Sequence, residues 1–159
     1  MFDTFFGLPL HPLVVHATVV AVPATAAALL LTALWPRFRR WAGWGPLALA
    51  VGTLGLVPLS TESGEKLEKR LGHSDLIRQH AEYADGLLPW AAGAVLVALG
   101  LWWWRQSERP EPGRFGPLPC WAPVILRVAA VVVAAGITVQ VILIGHSGAE
   151  AAWNGVVSA

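Results

Sequence analysis

The sequence of 159 residues contains a single cysteine, Cys120. One cysteine cannot form an intrachain disulfide, and it provides neither a CxxC pair for a zinc site nor a CxxCH motif for covalent haem attachment. A haem group would therefore be held non-covalently, and a metal ion would need histidine or carboxylate ligands.

Charged residues are also scarce. They make up 13% of the chain, against about 25% in a typical soluble domain, whereas hydrophobic residues make up 55% and the mean hydropathy is +0.57. The formal net charge is only +1, and no basic stripe indicates nucleic-acid binding. This composition predicts an integral membrane protein with one transmembrane domain over residues 1–159.

Four hydrophobic stretches approach the length of a membrane-spanning helix, which needs about 20 apolar residues. They predict an all-α fold, an integral membrane four-helix bundle made of two similar helical hairpins. The predicted spans cover residues 12–35, 44–62, 83–104 and 122–145. The charged segment between the second and third spans predicts a short amphipathic helix that lies on the membrane surface.

Lysine and arginine are distributed unevenly between the two sides of this bundle. Seven of the eleven lie in or beside the loops that follow the first and third spans, and seven of the nine tryptophans fall on the same side. Basic loops tend to stay in the cytoplasm. We therefore predict a multi-pass protein of a bacterial plasma membrane with both termini extracytoplasmic. The N-terminus carries Asp3 in place of the basic segment of a signal peptide, so we expect the first span to be retained.

A faint internal repeat relates the two predicted hairpins. His16–Ala17 lies near the start of the first span, and His80–Ala81 precedes the third. Ser63–Gly64 follows the second span, and Ser147–Gly148 follows the fourth. Both halves start on the same side, so a pseudo-twofold axis along the membrane normal would relate them. His16 and His80 would then be symmetry mates on facing helices.

All five histidines map to the predicted extracytoplasmic side: His11, His16, His73, His80 and His146. An ionisable residue at membrane depth, such as His16, indicates a functional site. Haem b in a helical bundle is held by imidazoles from facing helices. We therefore predict a haem-b-binding electron-transfer protein in which His16 and His80 ligate the iron, with His11 and His146 as substitutes. The neighbouring polar residues expected around these ligands are Glu62, Ser63, Ser147 and Glu150.

Two other interpretations stay open. The histidines and nearby carboxylates could bind Zn²⁺ or Cu²⁺ or relay protons, although their spacing matches no metal-binding motif. Alternatively, His11 could cap the first span, His16 could bond to a neighbouring helix and His73 could lie at the membrane interface. The chain would then be a non-enzymatic accessory subunit of a membrane complex without a cofactor. None of these interpretations makes it a stand-alone catalyst.

The segment Gly7–His16 (GLPLHPLVVH) resembles the HPLxVH signature of a bacterial membrane protein family of unknown function. The resemblance extends over the whole chain, including Thr61–Glu65, the region of His80 and Gly145–Trp153. Most relatives have Phe-Pro or a similar pair after the second histidine, where this chain has Ala17–Thr18. Some relatives are fused to Rieske iron–sulfur or c-type cytochrome domains, so the resemblance implies membrane electron transfer. The expected partners are the lipid bilayer, a separate redox protein or larger respiratory complex, and a second copy of the chain.

Overall fold

The computed structural model describes residues 4–5, 8–71, 74–109 and 116–153; at 4–5, 8–11, 67 and 70–71 it describes the backbone alone. Two strands of two residues each, β1 and β2, pair antiparallel and precede six helices along the described part of the chain. The elements are β1 (Thr4–Phe5), β2 (Leu8–Pro9), α1 (Leu10–Leu34), α2 (Pro36–Ala42), α3 (Gly45–Leu71), α4 (Asp75–Asp85), α5 (Leu87–Ser107) and α6 (Ala122–Trp153).

Four helical segments are long and apolar enough to cross a membrane: Pro12–Leu34, Gly45–Lys66, Asp75–Ser107 and Ala122–Trp153. These segments confirm the predicted all-α fold with four spanning helices. Helix α1 packs against α3 and α6, and α5 packs against the same two helices, so the four form a ring with α1 touching α5 across it. This arrangement is compatible with a pseudo-twofold axis that exchanges α1 with α5 and α3 with α6.

Both small and large side chains fill the inside of this ring, since Leu29, Leu101 and Ile137 are buried beside the alanines. Ala50, Ala94 and Ala130 are almost completely buried, whereas Val20 and Leu96 are each 70% exposed. In lipid, burial of apolar side chains between helices provides little driving force, because lipid tails are as apolar as leucine. Close approach of the backbones across the buried alanines therefore contributes to helix association in this bundle.

One buried polar contact joins α1 to α3 at the centre of the bundle. The Thr25 hydroxyl lies 2.8 Å from the Ala21 carbonyl oxygen and 2.8 Å from the Thr53 hydroxyl, which itself lies 3.4 Å from the same carbonyl. Thr53→Val should lower the free energy of unfolding by about 0.6 kcal/mol, the mean for such bonds in membrane bundles.

Unfolding in detergent mixtures measures this change. Thr138→Val is the matched control, because Thr138 is exposed and bonds to the Ala134 carbonyl of its own helix. Equal effects of the two substitutions would contradict the prediction.

Helix boundaries around the charged segment differ from the predicted spans. Helix α3 continues past residue 62 to Leu71, and the amphipathic helix between α3 and α5 is α4. Ser74 caps α4, since its hydroxyl oxygen accepts a hydrogen bond from the Ile77 N–H at 3.2 Å. The side-chain amide of Gln140 donates to the Tyr83 carbonyl, which fastens the end of α4 to α6. The charged segment thus lies against the bundle.

Helix α2 lies in the basic loop after the first span and was not predicted. Pro36 occupies its first turn, where the missing N–H costs no hydrogen bond. The helix ends at Gly43, whose φ of 63° is disfavoured for other residues. Helix α2 contacts α1 and α5 at the end of the bundle that carries most of the arginines, which we call the arginine end.

Candidate functional site

The opposite end, where α1 begins and α6 ends, holds the described histidines His16, His80 and His146, and we call it the histidine end. A partly open cavity of about 400 Å³ lies there, with walls from α1, α3, α4, α5 and α6. Small-molecule sites in proteins are typically about 300–1,000 Å³. The cavity is therefore large enough for a small organic ligand.

The cavity has an apolar part and a polar rim. The apolar part lies further along the helices into the bundle, and it is lined by Val19, Val22, Val57, Leu87, Val141 and Ile144. The rim lies nearer the helix ends at the surface and contains Ser60, Thr61, Glu65, Glu68, His80 and Asp85. Such a lining matches an amphipathic molecule whose apolar part enters first.

His80 is the histidine in the cavity wall, and its ring is held by α6. Its Nδ1 lies 3.1 Å from the hydroxyl oxygen of Ser147, which is 3% exposed. The Ser147 hydroxyl donates its proton to the Ile144 carbonyl at 3.1 Å. With the Ser147 proton on the Ile144 carbonyl, the Nδ1–H of His80 is the donor to the Ser147 oxygen. In neutral His80 the other ring nitrogen, Nε2, then carries a lone pair.

Gly148 makes room for the His80 ring beside α6. A Cβ atom at position 148 would lie 3.1 Å from Cε1 and 3.3 Å from Nδ1 of His80. Contacts this short would push the ring by a few tenths of an ångström. The Ser147–Gly148 pair of the sequence repeat therefore positions His80: the serine bonds to its ring and the glycine lets the ring approach.

The remaining predicted site residues lie elsewhere. His16 is exposed, and its Nδ1 donates to the Pro12 carbonyl of its own helix at 2.5 Å. His146 is exposed and its Nε2 lies 3.3 Å from a carboxylate oxygen of Glu150. Glu62 is exposed, and the Ser63 hydroxyl donates to the Ser60 carbonyl at 2.8 Å.

The structure thus joins His80 with Ser147 and His146 with Glu150, and His16 is not among the residues that line the cavity. The side chains of His11 and His73 lie outside the described residues. Over the described part of the chain, no three His, Cys, Asp or Glu side chains are grouped as metal ligands. Haem ligation by His16 and His80 therefore stays a prediction.

The acidic residues of the rim were not predicted as part of a site. For the charged segment that contains Glu65 and Glu68, the sequence predicts only a short amphipathic helix on the membrane surface. Because α3 continues to Leu71, Thr61, Gly64, Glu65 and Glu68 follow helical i, i+3, i+4, i+7 spacing and share one face. That spacing is the signal by which the acidic face could have been found.

A second cluster of polar groups lies at the arginine end, and we call it the Arg39 clasp. Arg39 is 2% exposed, and its guanidinium donates to the Glu108 carboxylate at 2.7 and 3.2 Å and to the Thr32 carbonyl at 3.0 Å. The guanidinium carbon lies 3.7 Å from the centre of the Trp104 ring, and the Arg127 guanidinium lies 4.9 Å from the same ring. The clasp joins α1, α2, α5 and α6 at the end of the bundle opposite the cavity.

A family model described as "Predicted membrane protein (DUF2231)" matches residues 7–159. The chain belongs to this family. No curated protein and no solved structure matches the chain. Membership of the DUF2231 family agrees with the four candidate spans and confirms the resemblance to a membrane family of unknown function.

Proposed function

We propose that this chain binds a small amphipathic molecule in the cavity around His80. The observation that carries the proposal is an imidazole whose Nδ1 lies 3.1 Å from the Ser147 hydroxyl oxygen, in the wall of a cavity of about 400 Å³. Such a ring can accept a hydrogen bond or ligate a metal through Nε2 without leaving Nδ1 unpaired. The proposed activity is binding and orientation of the ligand.

The position of the cavity supports an extracytoplasmic site in a bacterial plasma membrane. Exposed tryptophans lie at the arginine end, among them Trp41, which is 81% exposed, and Trp44, which is 71% exposed. Aromatic residues at interfaces and basic residues on the cytoplasmic side are the usual membrane pattern. With the arginine end in the cytoplasm, the His80 cavity would open outside it.

Haem b is the specific ligand that the sequence predicts, and the cavity fits it in part. A ligating histidine commonly donates its other ring N–H to a nearby acceptor, as His80 does to Ser147. His80 therefore fits one axial position, and a bound haem would supply one-electron chemistry. Among the described side chains the lining contains no second imidazole, and Glu65, Glu68 and Asp85 would repel the propionates of haem. The residues present thus fit an axial ligand but not the rest of the group.

The proposal is tested by nitrogen NMR of protein labelled with ¹⁵N-histidine in phosphatidylcholine nanodiscs, with His80→Gln to assign the signals. Neutral His80 should be protonated at Nδ1. Addition of 1-decanol should shift the Nε2 signal of His80 and leave the His146 signals unchanged, because His146 does not line the cavity. Ala84→Trp, which places a large ring in the lining, should remove the shift.

Equal responses of the two histidines, or a His80 shift that persists in Ala84→Trp, would contradict the proposal. A non-enzymatic accessory subunit would then be the better interpretation. Haemin titration of the same nanodiscs examines the narrower haem hypothesis. If haem binds, His80→Ala should lose the reduced-minus-oxidised bands and His146→Ala should keep them; an unshifted haemin spectrum would rule haem out.

A further inference from the structure

We infer that the ligand of the His80 cavity is a lipophilic ammonium cation, an inference that rests on the proposed function. The rim of the cavity combines three carboxylates with groups that accept hydrogen bonds, and it has few donors. An ammonium group has the complementary properties, since it carries a positive charge and three N–H donors and has no acceptor. An apolar tail would occupy the inner part of the cavity.

The rim of the cavity carries negative charge, which favours a cationic ligand. Glu65 and Glu68 reach the rim from α3, and Asp85 reaches it from α4. Among the side chains that the structure describes, no lysine or arginine lines the cavity. Lys66 and Lys69 are exposed, and each directly follows one of the two glutamates in the sequence. One residue corresponds to about 100° around an α-helix, so each lysine lies on a different face from the glutamate before it.

The basic residue on α4 also faces away from the cavity. Arg78 is 71% exposed and lies 3.7 Å from Asp75, which does not line the cavity either. The rim carboxylates therefore have no described cationic partner in the lining, and the cavity should attract positive charge.

The hydroxyl groups of the lining mainly accept hydrogen bonds, which favours a ligand that donates them. Thr18 and Thr61 line the cavity, but their hydroxyls donate to the Val14 carbonyl at 2.9 Å and the Pro58 carbonyl at 3.1 Å. Each hydroxyl proton is thus used within its own helix, and the oxygens are left to act as acceptors.

The imidazole of His80 has the same character. When Nδ1–H donates to Ser147, Nε2 is an acceptor in the neutral ring. The hydroxyl of Ser60 can donate as well as accept. A ligand that offers only acceptors, such as a carboxylate or an oxidised quinone, would therefore find little to bond to.

The apolar wall makes the cavity unsuitable for a bare metal cation. Val22, Val57 and Val141 line the inner cavity and offer nothing to replace the water around a small ion. The described residues also contain no grouped set of metal ligands. A cation that carries its own hydrophobic tail satisfies both parts of the lining.

The test uses three probes that share a ten-carbon tail and differ in the head group: decylamine, 1-decanol and decanoate. Decylamine is charged at pH 7, as the lysine side chain is. The His80 Nε2 signal is followed in phosphatidylcholine nanodiscs, and protein-free nanodiscs give the partition of each probe into lipid. After that correction, decylamine should bind about tenfold more tightly than 1-decanol, since three partly exposed ion pairs together contribute on that order. Decanoate should bind most weakly.

Neutralisation of the rim provides the decisive comparison. In the triple variant Glu65→Gln, Glu68→Gln and Asp85→Asn, the advantage of decylamine over 1-decanol should fall to about twofold or less. Glu82→Gln is the matched control, because Glu82 is an exposed carboxylate on α4 that does not line the cavity; it should keep the tenfold advantage. Unchanged His146 signals will show that the fold is retained.

The two proposals fail in distinguishable ways. If 1-decanol binds and decylamine binds no more tightly, the inference is overturned and the proposed function stands. A tenfold advantage that survives in the triple variant would overturn the inference as well, since the preference would then not come from the rim. If none of the probes shifts His80 selectively, both the inference and the proposed function are wrong.

Discussion

Arg39→Ala is expected to lower the free energy of unfolding by about 3 kcal/mol, the low end of the range for breaking a buried ion pair. Arg39 is 2% exposed, so its guanidinium has little contact with water, and its charge is balanced by the Glu108 carboxylate. Removal of the arginine would leave the Glu108 carboxylate without its partner. The glutamate is 31% exposed and can regain some hydration, which is why the low end of the range applies.

The Arg39 side chain makes two further contacts that alanine would remove. One is the hydrogen bond to the Thr32 carbonyl, which lies in the last turn of α1 where carbonyls have no partner within the helix. The other is the stacking of the guanidinium on the Trp104 ring. Because these groups belong to different helices, the loss should loosen the arginine end of the bundle as a whole.

Unfolding of purified protein in mixed detergent micelles measures the effect of Arg39→Ala. Arg37→Ala is the matched control on the same short helix, since Arg37 is exposed; it should change the stability by less than about 0.5 kcal/mol. Arg39→Lys should fall between the two, because lysine keeps the charge but lacks the planar fork that binds a carboxylate at two points. Equal stabilities of Arg39→Ala and Arg37→Ala would show that the clasp contributes nothing.

Gly136→Ala is expected to destabilise the bundle by about 1–3 kcal/mol, the usual cost of adding atoms to a packed interior. Glycine at this position lets the Trp90 ring of α5 lie directly on the backbone of α6, and a Cβ atom there would overlap the six-membered part of the indole. The indole is rigid, so relief requires a new rotamer of Trp90 or a shift between α5 and α6.

The matched control for this substitution is Gly55→Ala. A Cβ atom at position 55 would have open space around it. In that position alanine should be neutral or stabilise α3 by about 0.5–1 kcal/mol, because glycine is the poorer helix former. If the two glycine substitutions behave alike, the contact with Trp90 has no energetic role.

A double-mutant cycle with Trp90→Leu separates the overlap from any general effect on α6. In the Trp90→Leu background, Gly136→Ala should cost less than in the natural protein, because the overlapping ring is gone. If Gly136→Ala lowers the stability equally in both backgrounds, the overlap with Trp90 is not the cause of the destabilisation.

Local features of the sequence predicted much of the fold. The four hydrophobic stretches become candidate spans. Each depends on the residues within one stretch of the chain, which is why composition and length were sufficient. The end of α3 was predicted too early, because the charged residues after Thr61 were interpreted as leaving the bundle, whereas α3 continues to Leu71.

The candidate site was predicted in part. His80 and Ser147 were both expected at the histidine end, and the structure joins them. The carboxylates of Glu65 and Glu68 were not expected in a cavity, because their position follows from the extension of α3 and from its rotation about its own axis. The partnership of Arg39 with Glu108 left no pattern in the sequence, since the two residues are 69 positions apart.

The sequence by itself determined that this is a membrane protein of four helices with histidines gathered at one end. An apolar segment enters lipid because of its own composition, and as a helix it satisfies its backbone hydrogen bonds within the segment. Only the tertiary structure decided that His80 turns its Nδ1 to Ser147, that acidic side chains meet around one cavity, and that Arg39 is buried against Trp104. These contacts depend on how far each helix is rotated and how closely two backbones approach, which is set by packing between segments distant in the chain.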